Sequence, residues 1–482
     1  MGIYHLRSDG MDTIFSLLKD IEKTENIKVY ITGEYLRDFL IGKKSDNMEI
    51  LVSDRVKDIA KDFSEKIDID LITVEENNCY KVLDIDRELN IYFYGMKNKS
   101  LNEILQNKDF TINSLATTIE SFEDLSKENI IDPTGGLQDI ENNILRIWDE
   151  NNLIRNPLIA IKAVNLMSEL NFELERDTVN IIKKNKDKIS NINGKTMADE
   201  LFKIFRNRKT YYYLNYMDRE LDILDEVFPE IKTMKDVGEC KYHVVDSFTH
   251  SIYVLKLTEN IIYYDGYFED HIREAYEKHA DEKIEGEHTR AELIKLAALF
   301  HDVGKPSARK VDKTGRVRFK GHEITGAEII KDISERFEMS IKARDILYRI
   351  VAKHMLPLVS YKSNDASANF LYKMFNECGD ETLEVLLIAL ADIVATRKLL
   401  NPDEKMGKFK VHIQYMANNY ITRYKEIEDI SNIIKGSDIL KEYDLPENIL
   451  VSELIEEVRK AIFTGKIGPT KTSALKYIKS LL

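Results

Sequence analysis

The chain has 482 residues, 43% of them hydrophobic and 32% charged, with only 8 prolines and 20 glycines. This composition excludes a disordered protein, and the length exceeds what one hydrophobic core supports, so two to four domains are expected. A formal net charge of −14 argues against a dedicated duplex-DNA binder, although it leaves room for a local basic groove. Cys79, Cys240 and Cys378 are too widely spaced for a zinc knuckle or a disulfide framework and fit a reducing cytosol. No apolar run reaches membrane-spanning length, the first residues lack the shape of a signal peptide, and Leu6 removes a myristoylation site. A cytoplasmic location with no membrane partner is therefore expected, with oligomeric state left open.

In chain order, residues 1–145 mix short β-like runs (Lys28–Ile31, Met48–Val52, Ile91–Tyr94) with helical segments and read as an α/β head. From 146 onward the spacing of apolar residues is helical, as in "DELFKIFRNRKTYYYLNYM" and "LLIALADIVATRKLL". The fold class expected is α+β, with a helical neck at 146–235, a helical domain at 236–400 and a helical tail at 401–482. The charged stretch "DGYFEDHIREAYEKHADEKIEGEHTR" reads as a solvated helical insertion, with no chemistry assigned to His271, His279 or His288. The tail reads as small helices joined at Gly436, Pro446 and Gly465.

Within the head, "VYITGEYLRDFLIGKKSDNMEILVS" runs strand, glycine turn, helix beginning near Arg37-Asp38, a second turn at Gly42, and strand. Nucleotidyl transfer requires two Mg²⁺ ions held by carboxylates on one face, and residues i and i+2 of a strand share a face. Here that pair falls on Asn47 and Glu49, while alternation points Asp46 to the opposite side. Asn47 offers a neutral amide oxygen, a poor ligand for a hard cation. Glu34 brings a negative charge to the turn after Gly33, where a triphosphate would pass.

The head resembles the class II tRNA nucleotidyltransferase and poly(A) polymerase family. The likeness rests on Gly33-Glu34-Tyr35-Leu36-Arg37-Asp38, "KDFTINSLA", "DPTGGLQDIENNILR" and "RNPLIAIKA", and continues through "ADELFKIF", "LDEVFPEI" and "KGSDIL". The resemblance implies that the base-reading Asp and Arg of the family fall on Asn156 and Ile159, and that arginines are replaced by Asn107, Lys108 and Lys162. Isoleucine cannot hydrogen-bond a base edge. Arg37, Asp38, Asp109 and Asn113 match the family but suit structural roles at a helix start and in turns. The transferase site reads as degenerate, and Mg²⁺ is expected only if it is active.

The middle of the chain reads differently. His250 lies in "HVVDSFTHSIYVLKL", His301-Asp302 and Lys305 in "LIKLAALFHDVGKPSARK", His322 in "FKGHEITGAEI", His354 in "IVAKHMLPL", and Asp392 is the sole charge of "VLLIALADIVAT". An aspartate in so apolar a helix is expensive to bury without a partner. The pattern resembles the HD phosphohydrolase domain. That resemblance implies one or two divalent transition-metal ions (Mn, Fe, Co or Ni), an assignment that imidazole and carboxylate ligands suit. His250, His301, Asp302 and Asp392 would hold the first ion. His322 and His354 would complete a second site bridged by Asp302, and Lys305 would offset phosphoryl charge. His243 and Asp246 either orient His250 or cap and pack its helix.

Three functions are carried forward. The leading one is a metal-dependent phosphohydrolase or phosphodiesterase acting on RNA ends, tRNA among them, or on nucleotide phosphoesters. The others are an active tRNA CCA-adding enzyme or poly(A) polymerase, and a non-catalytic RNA-binding protein.

Overall fold

Alternating apolar residues in the first 120 positions build a six-stranded sheet: β1 (Val29–Thr32), β2 (Asn47–Val52), β3 (Leu71–Val74), β4 (Cys79–Asp84), β5 (Leu89–Gly95) and β6 (Ala116–Thr118). The strand order is β3-β4-β5-β2-β1-β6, with β2 parallel to β5 and every other pair antiparallel. The computed structural model describes residues 11–74, 79–84, 89–237, 245–264, 268–285, 288–400, 407–443 and 451–482. Two units divide the chain, one made of residues up to 192 with 220–223, the other of 193–219 and everything from 224.

In the first unit, Ile31, Ile50, Ile91 and Phe93 of the sheet bury against Phe15 and Leu18 of the helix Met11–Glu25 and Phe63 of the helix Val56–Lys66. The helix after β1 starts at Gly33 and runs to Leu40, rather than starting near Arg37. Gly33 has φ +72°, so the chain leaves the strand and enters the helix at a single residue. This puts Glu34 in the first helical turn, where a carboxylate favours the helix dipole.

The second unit is helical, as the sequence pattern predicts. Beyond residue 150 the described strands are only two or three residues long and form two-stranded pairs. "DELFKIFRNRKTYYYLNYM" is not continuous: the helices Gly194–Arg206 and Thr210–Arg219 are separated at 207–209. There the Thr210 hydroxyl donates to the Asn207 carbonyl at 2.9 Å, a local bond that competes with helix continuation. Within the stretch 265–290, the described residues also differ from a solvated insertion. Ile272, Tyr276 and Ala280 form a buried stripe of the helix Asp270–Ala280. His279 Nε2 lies 2.8 Å from the buried Glu384 carboxylate, which also pairs with Arg290 at 3.0 Å.

The tail helices Gly436–Tyr443, Val451–Phe463 and Lys471–Lys479 enclose Ile439, Val458 and Ile478. Gly436 opens a helix, and Gly465 (φ +74°) follows one. Cys240, His243 and Pro446 lie outside the described residues. Among the described residues no helix is long and apolar enough to cross a membrane.

Candidate metal centre and nucleotidyltransferase-like site

Each histidine of the HD pattern sits at or near a helix end. His301 caps the C-terminus of the helix Arg290–Phe300, and His354 caps that of Ile341–Lys353. His322 opens the helix His322–Arg336. The Nδ1 atoms of His301, His322 and His354 lie 2.9, 2.9 and 2.7 Å from the carbonyls of Ala298, Phe319 and Val351. A carbonyl only accepts, so each Nδ1 carries the proton and each Nε2 is free to face the centre. His250 arrives from the first turn of the helix Ser247–Tyr263 and Asp392 from the middle of Thr382–Leu400.

Asp302 lies at the middle of the cluster. Its carboxylate is 3.2 Å from His301 Nε2, 3.2 Å from His322 Nε2, 3.7 Å from His250 Nε2 and 2.5 Å from Lys305 Nζ. Asp392 lies 2.9 Å from His250 Nε2. His250, His301 and Asp302 form one grouping whose donor atoms lie within 4.8 Å of one another, and Asp302, His322 and His354 form another. Gly304 permits this closeness, since a Cβ there would stand 2.1 Å from the His322 carbonyl oxygen and 2.4 Å from Gly326 N.

His250, His301, Asp302 and His354 are buried. Burial, reinforced by neighbouring His301 and His322, pushes His354 down to about 3 and keeps it a neutral imidazole. Burial also lowers His250. Burial would raise Asp302, but His301 and Lys305 outweigh it and hold the carboxyl well below its usual range. His322 and His354 bring their Nε2 atoms within 3.3 Å, so a proton or a metal cation must separate two lone pairs. His301 Nε2 is buried without a well-formed hydrogen bond. This donor set fits a divalent transition metal.

The cluster on β1 and β2 is arranged otherwise. Asn47 and Glu49 alternate with the buried Met48 and Ile50, yet both polar side chains already have partners. Asn90 donates to Asn47 Oδ1 at 3.1 Å, and the Lys108 ammonium is bonded to Glu49. Glu49 also covers the glycine turn, where a Cβ on Gly33 would lie 2.3 Å from its Oε1. Arg37 is buried and donates to Asp38 and Asn113 at 2.8 and 2.9 Å. Asn113 donates in turn to Asp109 at 2.8 Å, and Lys162 stands 3.8 Å from Asp109. Burial raises the Glu34 carboxyl, with Arg37 opposing and Glu49 and Asp109 adding to the rise. Asn156 is exposed at the end of the helix Glu150–Arg155, and Ile159 is buried.

Three family models match the chain: the poly(A) polymerase head domain over residues 29–146, the probable RNA and SrmB-binding site of polymerase A over 171–235, and the HD domain over 247–397. The chain belongs to the tRNA nucleotidyltransferase and poly(A) polymerase family and carries an HD domain. An A-adding tRNA nucleotidyltransferase of Deinococcus radiodurans is 24% identical over 77% of each chain. A CC-adding tRNA nucleotidyltransferase of Shouchella clausii is 30% identical over 38% of this chain and 46% of its own length. In fold, the chain matches the Thermotoga maritima CCA-adding enzyme complexed with tRNA, with a TM-score of 0.65 and 15% identity, over 100% of this chain and 98% of that one.

In this family member the six HD-pattern residues of the sequence reading come together. Asp246 is the N-cap of the helix Ser247–Tyr263, accepting from Thr249 N at 2.8 Å, so of the two roles open to it the structure shows the cap. His243 lies outside the described residues. Lys305 is bonded to Asp302 rather than standing apart from the ligand set. The sequence reading missed the orienting carbonyls of Ala298, Phe319 and Val351. Each lies three residues before its histidine, a spacing that is legible for His301 and His354, which close helices, but not for His322, which opens one. It also missed Asn90 and Asp132. The Asp132 carboxylate accepts from the backbone N–H groups of Gly135, Gly136 and Leu137 at 2.8, 2.9 and 3.0 Å, which gives the "DPTGG" motif a structural function.

Proposed function

We propose that this family member is a metal-dependent phosphohydrolase or phosphodiesterase acting on RNA ends or nucleotides through its HD domain, with a head that no longer transfers nucleotides. The observation that carries the reading is the convergence of four imidazoles and two carboxylates, three of the rings locked by carbonyls so that Nε2 faces inward. His250, His301, Asp302 and Asp392 would hold one divalent transition metal, and His322 and His354 a second, with Asp302 common to both. Bound there, the metal supplies Lewis-acid polarisation of a phosphoryl oxygen and acidifies a water towards neutral pH. Lys305 adds a fixed positive charge that tempers Asp302 and favours an anionic phosphoester.

The head supports the second half of the proposal. Glu49 is neutralised by Lys108 and folded over Gly33, so one side chain occupies both the carboxylate position and the space above the phosphate turn. The tRNA named in the relatives' activities favours an RNA substrate. Metal analysis of the purified protein coupled to a phosphoester screen tests the reading: a metal-free protein without phosphoesterase activity refutes it.

A second reading, nucleotidyl transfer with Mg²⁺ at the head, is favoured by the likeness to an A-adding enzyme over 77% of both chains. Assay with tRNA lacking its CCA end, in the presence of CTP and ATP, separates the two.

A further inference from the structure

We infer that the groove between the helices Thr210–Arg219 and Ser247–Tyr263 binds an unpaired stretch of RNA, with Tyr212 and Tyr253 as stacking surfaces for its bases. The groove has a volume of about 320 Å³, and Tyr211, Phe248, Lys256 and Arg219 line it beside those two tyrosines. Among the described residues no carboxylate lines it, in a chain whose net charge is −14. A protein this acidic repels polyanions over most of its surface, so a cationic, aromatic groove is a local exception with a chemical direction.

The tyrosines are not core residues. Tyr212 is 50% exposed and Tyr253 43%, although aromatic residues at helical spacing are ordinarily buried. Thr249, Ile252, Tyr253 and Lys256 follow the i, i+3, i+4, i+7 rule along one face of their helix. His250, one step round the same helix, faces the metal cluster instead. Lys256 Nζ stands 5.1 Å from the centroid of the Tyr211 ring, and the Arg219 guanidinium is held by the Asn215 amide oxygen at 3.1 Å. Asp218, next to Arg219 in sequence, faces Lys235, which also pairs with Asp225 at 2.8 Å. Among the described residues neither cation of the groove is paired with a carboxylate.

The walls are preformed. Glu259 of one helix accepts the Thr210 backbone N–H at the start of the other, at 2.7 Å. Lys295 donates to the carbonyls of Phe205 and Asn207, each at 2.7 Å, and fixes the turn just before it. Such a groove presents ring faces and cations without ordering cost. Ring faces reach bases only where the bases are unstacked from a helix, so the ligand is single-stranded rather than duplex.

The inference rests on the reading of the chain as an RNA-handling protein and not on hydrolysis at the HD centre. The experiment is fluorescence anisotropy of the full chain, without added metal, with a short labelled oligoadenylate and with an RNA duplex of equal length. Tyr212→Ala and Tyr253→Ala should each weaken single-strand binding about tenfold, the order of one lost base–aromatic stack. Tyr212→Phe and Tyr253→Phe, which keep the ring, should bind as the parent does. Lys256→Gln should reduce the salt dependence by about one phosphate contact. Unchanged affinity in both alanine variants, equal loss in the phenylalanine variants, or no preference for single strand over duplex overturns the inference, as does absence of RNA binding. Hydrolytic inactivity with these RNA results intact refutes only the HD reading.

Discussion

The head and the HD centre each gather carboxylates beside cations, but they treat negative charge in opposite ways. At the HD centre the surroundings favour it: Asp302 is held well below the usual carboxylate range despite its burial. At the head they resist it: Glu34 is raised by burial with Glu49 and Asp109 close by. Three of the four HD imidazoles, His301, His322 and His354, are also held by their outer nitrogens, which leaves the inner ones facing a common point. In the head the polar groups are used up on one another, through Asn90–Asn47, Lys108–Glu49 and Arg37–Asn113–Asp109. A set of donors aimed at shared space suits a cation from outside, and a set closed on itself supports the fold.

The strongest way to break this contrast is to remove Asp302, the residue common to both groupings. On the proposed reading, Asp302→Ala should lose metal and lower phosphodiester hydrolysis by at least about 10³-fold, corresponding to several kcal/mol of lost charge stabilisation. Metal stoichiometry and rate are measured side by side, and a variant that keeps both makes the cluster structural. Lys305→Met should act more narrowly. Its ammonium lies 2.5 Å from Asp302, so its removal leaves every proposed ligand in place and frees the carboxylate for a cation. Metal content should be retained while turnover falls by about 2–4 kcal/mol, the order of one preorganised charge contact. Loss of metal in this variant would place Lys305 among the residues that build the site.

How much of this was legible beforehand depends on the range of the interaction. The HD pattern stood out because Asp392 and His301 interrupt strongly apolar helices, and burying such groups demands a reason. The departures at Asn47, Glu49, Asn156 and Ile159 were legible as residue types. Their consequence was not, because Lys108 reaches Glu49 and Asn90 reaches Asn47 only through the pairing of β2 with β5 and the packing of a distant loop. Asp246 illustrates the ambiguity of spacing: the same position reads as a residue that orients His250 or as a cap, and the start of the helix at Ser247 makes it the cap. The break at 207–209 was hidden for a similar reason, since apolar periodicity continues across it while Lys295, far along the chain, binds the interrupting carbonyls.

A smaller effect is expected from repairing the head. Asn47→Asp with Glu49→Asp restores two short carboxylates on one strand face. On the proposed reading it does not restore base reading, because Ile159 is buried and Asn156 is exposed at a helix end. Addition of CMP or AMP to tRNA should stay at background in both the parent and the double variant. Robust addition by the parent would show that the closed arrangement opens for substrate, and would erase the contrast with the HD centre.

The finest test concerns Glu34 itself. Burial raises its pKa in the folded chain, so the sign of its contribution is set. A carboxyl raised above its unfolded value adds stability fully below that unfolded value, and the contribution is lost as pH climbs through the folded one. At neutral and higher pH the ionised Glu34 therefore burdens the head, beside Glu49 and Asp109. Glu34→Gln keeps the size and removes the charge, so it should protect the head more at pH 8 than at pH 4. Because a chain of two units need not melt in one step, the measurement is amide hydrogen exchange of β1 and β2 at each pH. Slower exchange at pH 8 in the variant supports a head that resists negative charge. Faster exchange there would mean that Arg37, which opposes the rise, holds Glu34 as a favourable anion, and the two sites would then differ less than their geometry suggests.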